Sequence, residues 1–285
     1  MALTTYKLST KFPKKRAFIT GAGGGLGRVM SIELAGNGWT IGISDISEKG
    51  LQETAAMIEK AGGKAISFVL DVADSDKYAM VAQDYLSQTG GIDLLINNAG
   101  VGDGGVFGEY AVENWKWIVG INQMGVIYGC HNFVPVMKQQ KSGHVINIAS
   151  AASFANLPSM SPYNVTKAAV VSLSETIYGE LKGENVGVSV VCPTFFKTNV
   201  MQHSRGNEAQ KAAGQKMVDK SGIEPIVVAQ KVLNDAGKKT FYIIHPFSAK
   251  ALFWTKRFFP NIVINIIANG YHKILKKQTA KADKK

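Results

Sequence analysis

Only two of the 285 residues are cysteine, and neither Cys130 nor Cys192 stands at a metal or redox spacing. A disulfide-stapled secreted scaffold is therefore excluded, and buried, reduced thiols of a cytoplasmic protein are expected. The chain lacks an apolar run long enough to cross a bilayer, and its lysine-rich start (Lys7, Lys11, Lys14, Lys15, Arg16) leads into no apolar stretch of the secretory kind. Five histidines, His131, His144, His203, His245 and His272, share no ligand-like spacing, so no metal centre is expected. Acidic residues are scarce where the charge is concentrated. From Lys250 onward nine basic residues face only Asp283, so eight of the eleven net positive charges lie in that stretch. A balanced body with a basic appendage argues against a nucleic-acid-binding domain and for a targeting, membrane-surface or solubility feature.

What is present is a core-forming chain, 46% hydrophobic, long enough for one large α/β unit. Residues 16–20 (RAFIT) read as a buried strand that runs into Thr20-Gly21-Ala22-Gly23-Gly24-Gly25-Leu26-Gly27, and residues 26–37 have helical periodicity. Strand, glycine turn and helix form the arrangement in which backbone N–H groups and a helix N-terminus receive a pyrophosphate. Further strands are expected at 40–44, 65–70, 92–96, 144–149, 186–192 and 240–244. They alternate with helices at 47–61, 75–89, 111–138 and 161–184, the pattern of a three-layered, doubly wound parallel sheet in a single domain. Asp45, Asp71, Asn97 and Ser150 recur at strand ends, which predicts a crevice along the carboxyl edge. Asp45 can bind two ribose hydroxyls and repel a 2′-phosphate, so NAD is favoured over NADP; Arg28 near the phosphates is the dissenting residue. Asp45 can also cap the following helix.

The chemical centre is the stretch from His144 to Leu173. Tyr163 and Lys167 stand at i and i+4, which puts phenol and ammonium on one helical face. A free tyrosine titrates near pH ~10, and a fixed cation nearby favours the phenolate, as a general acid–base requires. Ser150 supplies a hydroxyl to orient a substrate oxygen. The Y-x-x-x-K spacing also arises by chance on amphipathic helices, so it carries weight only with the other motifs.

Four motifs agree: T-G-x-x-x-G-x-G at residues 20–27, N-N-A-G at 97–100, Ser150, and Y-x-x-x-K at 163–167. Over about residues 15–244 the chain resembles the short-chain dehydrogenase/reductase (SDR) family, single-domain NAD(P)-dependent Rossmann-fold oxidoreductases. The resemblance implies a catalytic set of Asn122, Ser150, Tyr163 and Lys167, with Asn122 fixing a water behind the lysine. It implies a cofactor site of Gly21, Gly24, Gly25, Leu26, Gly27, Asp45, Asp71, Val72, Asn98, Ala99, Gly100, Tyr163, Lys167, Pro193 and Thr198. Asp71 and Val72 would meet the adenine, and Thr198 the nicotinamide carboxamide. Relatives usually carry glycine after the proline, whereas this chain has Thr194. A homodimer or homotetramer through helices 111–138 and 161–184 is implied as well.

Segments 101–107, 151–160 and 194–220 are expected to wall the substrate with Phe107, Phe154, Leu157, Met160, Phe195, Phe196, Val200 and Met201. Ser150, Phe154, Tyr163 and Phe195 form its binding set, and residues 203–220 a lid. These walls favour an apolar ketone or secondary alcohol. The organisation is a polar leader (1–14), a catalytic domain (15–246, with lid 194–220) and a basic extension (247–285). In that extension Phe258, Phe259, Ile262, Val263, Ile266 and Ile267 make an apolar stripe that either contacts a membrane peripherally or packs on the body or a partner. Two other function classes stay in view: a catalytically silent NAD-binding scaffold or sensor, and an SDR-type lyase or epimerase.

Overall fold

The computed structural model describes residues 5–198, 200–206 and 208–282. The first four residues of the leader, Asn199 and Asn207 of the lid, and the last three residues of the extension lie outside the described residues. Among the described residues one parallel sheet runs in the order β3-β2-β1-β4-β5-β6-β7. Its strands are β1 (Arg16–Thr20), β2 (Thr40–Asp45), β3 (Lys64–Val69), β4 (Leu94–Asn97), β5 (Gly143–Ile148), β6 (Val186–Pro193) and β7 (Tyr242–His245). The order reverses between β1 and β4, the switch point at which open α/β sheets bind ligands.

The central strands read as continuous apolar runs because they are covered on both sides. Side chains alternate along a strand, so Ala17 and Ile19 of β1 enter one core while Phe18 enters the other. The first core is closed by α2 (Gly25–Ala35), α3 (Glu48–Lys60) and α10 (Pro225–Gly237), through residues such as Met30, Leu34, Ile58 and Val232. The second is closed by α4 (Ser75–Thr89), α6 (Gly125–Gln140) and α8 (Ser161–Glu180), where the Phe18 ring lies 4.9 Å from Phe133 and 5.1 Å from Tyr85. The result is the expected doubly wound, three-layered sheet in one domain.

Two elements differ from the sequence reading. The leader is not a polar appendage: it carries α1 (Lys7–Lys11), and Tyr6, Leu8 and Phe12 are buried in the first core. Trp39 Nε1 donates to Ser9 Oγ at 2.8 Å and its ring meets Phe12 edge-on, so burying these apolar side chains outweighs the solvation of the lysines between them. The helix expected at 111–138 is instead α5 (Val112–Val119), a π-helical turn (Gly120–Met124) and α6. Such a widened turn shifts the direction of following side chains, and here it carries Asn122 into the interior.

His144, the second residue of β5, is fully buried with Nε2 2.9 Å from Ser189 Oγ and Nδ1 without a partner. Burial drives its pKa down to about 3, and the charges of Lys11 and Lys239 push the same way. Above pH ~6.5 folded and unfolded states are both neutral here, but as the pH falls the unfolded chain gains a proton that the fold refuses. Stability should therefore drop by about 3 kcal/mol between pH 6.5 and 4 from this residue alone. Urea unfolding at both pH values checks it: His144→Gln should show the shallower acid loss, and parallel curves would rule the effect out.

Candidate active site

The glycine turn closes the carboxyl end of β1. Gly21 has φ +65°, and a Cβ there would lie 2.7 Å from Ala99 Cα; at Gly27 it would meet Gly21 O at 2.3 Å. Only glycine permits this left-handed corner and this approach of α2 to the strand. Gly24 caps α2 with no side-chain hydrogen bond, and no acidic residue stands in the first turn. The leading N–H groups of α2 are thus left for an anion, which fits a dinucleotide pyrophosphate.

Asp45 ends β2 beside that turn, and its carboxylate accepts from Gly23 N and Ser47 N, both at 2.9 Å. Asp45 thus borders the glycine turn and braces the start of α3, while Ser47 is the formal cap. Arg28 is committed elsewhere, donating to Thr54 Oγ1 (2.8 Å) and Gly23 O (2.5 Å) and pairing with Glu53 (2.8 Å). Asp71 is exposed and accepts from Ala73 N, while Val72 is buried against Gly125.

In the N-N-A-G motif the first two side chains are braces. Asn97 Nδ2 donates to Asn147 Oδ1 at 2.8 Å, joining β4 to β5. Asn98 Nδ2 donates to Thr20 O and Gly21 O, and Thr20 Oγ1 accepts from the N–H groups of Asn98 and Ala99. Thr20 is thus a residue that sequence reading left unassigned, though its position ahead of the glycines was the available signal. Gly100 packs between the machinery: a Cβ there would stand 3.2 Å from Asn122 Oδ1 and 3.3 Å from Lys167 Nζ.

Three parts of the chain bring the expected catalytic set together. Ser150 follows β5, Tyr163 and Lys167 lie on α8, and Asn122 sits in the π turn. The Ser150 side chain stands beside the Tyr163 phenol, near enough to act on its acidity. Lys167 Nζ lies 5.8 Å from the Tyr163 ring centroid and donates to Ile148 O at 2.9 Å. Asn122, fully buried, clamps Val101 by accepting from its N–H (2.8 Å) and donating to its C=O (2.9 Å).

The electrostatics differ from the sequence reading. Burial pushes the Tyr163 phenol above its ordinary value, and the Ser150 side chain opposes that. Burial also lowers Lys167 to about 8, with Cys192 opposing. Desolvation disfavours both charged forms, and among the protein's own groups it outweighs the pull of ammonium on phenol.

After β6, Pro193 O accepts from Ala151 N, and Thr194 donates to His245 O without a left-handed backbone. A Cβ on Gly25 would lie 3.7 Å from Thr198 Oγ1, which puts Thr198 across the glycine turn. The expected substrate walls separate. Phe195 keeps partial exposure, Phe196 packs on the first core, and Phe154 meets Phe253 edge-on at 5.2 Å. Phe107 and Leu157 line a cavity of about 610 Å³ with Val165 and Ala168, and neither Ser150 nor Tyr163 is in its lining. Phe107 and Phe196 are therefore corrected as walls of the reaction cleft: both belong to neighbouring apolar surfaces that linear position could not tell apart.

Asp103 escaped the sequence reading. Buried between glycines, its carboxylate accepts from Gly104 N (2.9 Å), Tyr110 Oη (2.5 Å), Ser204 Oγ (2.8 Å), Arg205 N (3.0 Å) and Gly206 N (2.9 Å). The Arg205 guanidinium lies over the Trp117 ring at 4.2 Å. One carboxylate thus latches the start of the lid, which continues in α9 (Glu208–Lys220), onto the 101–110 loop. Asp103→Ala should speed proteolytic cleavage within residues 201–220 about tenfold, in line with the ~1–3 kcal/mol cost of an unpaired hydrogen-bonding group. Mapped fragments at an unchanged rate would refute the latch.

Comparison with known proteins agrees with this geometry. The family model described as short chain dehydrogenase matches residues 15–209. "Probable oxidoreductase EphD" of Mycobacterium tuberculosis (strain ATCC 25618 / H37Rv) is 33% identical over 231 residues, 78% of this chain, which spans 39% of that relative's length. The 3-oxoacyl-[acyl-carrier-protein] reductase FabG of Thermotoga maritima is 29% identical over 80% of this chain and 93% of its own length. A crystal structure of an SDR from Burkholderia phymatum in complex with NAD has a TM-score of 0.79 and 34% identity, covering 84% of this chain and 91% of that one. With the sheet, the glycine turn and the Ser150–Tyr163–Lys167 cluster in one frame, the chain belongs to the short-chain dehydrogenase/reductase family of NAD(P)-binding oxidoreductases.

Proposed function

We propose that this chain is an NAD-dependent carbonyl reductase or alcohol dehydrogenase acting on an apolar ketone or secondary alcohol, with Tyr163 as general acid–base. The observation that carries this reading is the gathering of Ser150, Tyr163 and Lys167 in one cluster, with the Lys167 ammonium beside the Tyr163 ring. NAD(H), when bound, supplies or accepts the hydride at the substrate carbon. Ser150 orients the substrate oxygen, and the Tyr163 hydroxyl gives that oxygen its proton in reduction and takes it back in oxidation. Lys167 holds the nicotinamide ribose, and Asn122 fixes the 100–101 turn against the ammonium. The raised phenol is protonated at neutral pH, which favours reduction there. Phe195, Met201 and the latched lid supply the apolar walls. The site fits a second copy of the chain at the outer face of α6 and α8, where Gln123, Ile127, Ala169 and Leu173 border a cavity of about 260 Å³. The free, buried Cys130 and Cys192 suit the reducing cytoplasm. Following NADH absorbance over ketones of graded chain length tests the substrate class: kcat/KM should rise with chain length, and a preference for charged or sugar substrates would defeat it.

A further inference from the structure

The extension folds into α11 (Phe247–Phe258) and α12 (Pro260–Ala282). One side of α12 is docked: Val263 is buried, and eight residues on, Tyr271 Oη lies 2.9 Å from Ser159 Oγ. The end of α11 and the start of α12 carry uncovered apolar side chains. Trp254, Phe258, Phe259, Ile262 and Ile266 are 49–69% exposed, and the Trp254 and Phe258 rings stack at 6.1 Å. Lys250, Arg257, Lys273 and Lys276 stand around them, in the stretch that holds eight of the eleven net charges.

An exposed apolar stripe of this size marks an interaction surface, and its charge selects the partner. The body does not cover it. An isologous contact with a second copy would press Lys250, Arg257, Lys273 and Lys276 toward the same residues of the other copy, and the remainder of the chain has no excess of acid to receive them. No described helix is long and apolar enough to cross a membrane. We propose that Trp254, Phe258, Phe259, Ile262 and Ile266 dock this protein on an anionic phospholipid surface, with the aromatic and aliphatic side chains at the acyl boundary and the lysines among the phosphates. The docked face of α12 leans on the 156–161 loop through Ser159, and Tyr271 lines the apolar cavity with Leu157 and Pro158. This assignment stands independently of the reaction.

Flotation of the full chain with vesicles of phosphatidylcholine, with and without phosphatidylglycerol, tests it. The protein should float with the anionic vesicles at least tenfold better than with the neutral ones, and less well as salt is raised. Phe258→Glu/Ile262→Glu should abolish flotation with the circular dichroism spectrum and solution mass unchanged. Equal recovery in the soluble fraction with both vesicles would overturn the proposal. A fall in solution mass in the double variant would overturn it in favour of a second copy on this face.

Discussion

Tyr163→Phe is expected to lower kcat about 10³-fold while dinucleotide affinity stays essentially unchanged. The substitution removes one oxygen, and with it the proton that the substrate oxygen must gain or lose, a contribution in the ~10²–10⁴ range for general acid–base groups. The ring remains to pack where it packs now, and loss of the hydroxyl changes stability by about 1 kcal/mol at most. Turnover and cofactor titration by fluorescence, measured side by side, separate catalysis from binding. Turnover near that of the parent would remove the phenol from the mechanism, and joint loss of both would make it a binding residue. The pH dependence carries its own sign. Because burial raises the phenol, reduction should hold through neutral pH and fall on the alkaline side, while oxidation should climb with pH as the phenolate forms. Lys167, lowered to about 8, loses its charge at lower pH than the phenol loses its proton.

Asp45→Ser is expected to shift cofactor preference toward NADP by about 100-fold. A carboxylate about 5 Å from a unit of phosphate charge costs ~3 kcal/mol at an effective dielectric of about 20, and each ~1.4 kcal/mol is a factor of ten. Asp45 is held at that edge by Gly23 N and Ser47 N, and Arg28 cannot compensate because Glu53, Thr54 and Gly23 O already engage it. The ratio of kcat/KM for the two cofactors, with Tm as a control for the loosened glycine turn, reads the effect. An unchanged ratio, or a parent enzyme that already prefers NADP, would end the case for NAD.

Much of the frame was legible because its causes are local. Strand β1 falls on the expected residues, since a run of apolar residues before a glycine turn can be buried on both faces and little else. The break of the long helix at Asn122 was not legible, because a π turn costs little in sequence terms and is stabilised by what packs across it. The leader was misjudged for a related reason: its lysines dominate the composition, while Tyr6, Leu8 and Phe12 find cover only once α2 and α10 lie side by side. Asn98, expected as a cofactor ligand, also braces Thr20 and Gly21 through its amide, a role that shows only once β1 and β4 lie side by side.

The order of strands and helices, the glycine corner and the pairing of Tyr163 with Lys167 follow from the chain alone, because periodicity and i, i+4 spacing act over a few residues. Tertiary structure decided the rest: the acidity of Tyr163 and Lys167, the Asp103 latch to a segment 101 residues away, and the uncovered apolar side chains at the end of α11 and the start of α12. Desolvation, long-range hydrogen bonding and exposure depend on which distant groups arrive at the same place, and no local pattern encodes that meeting.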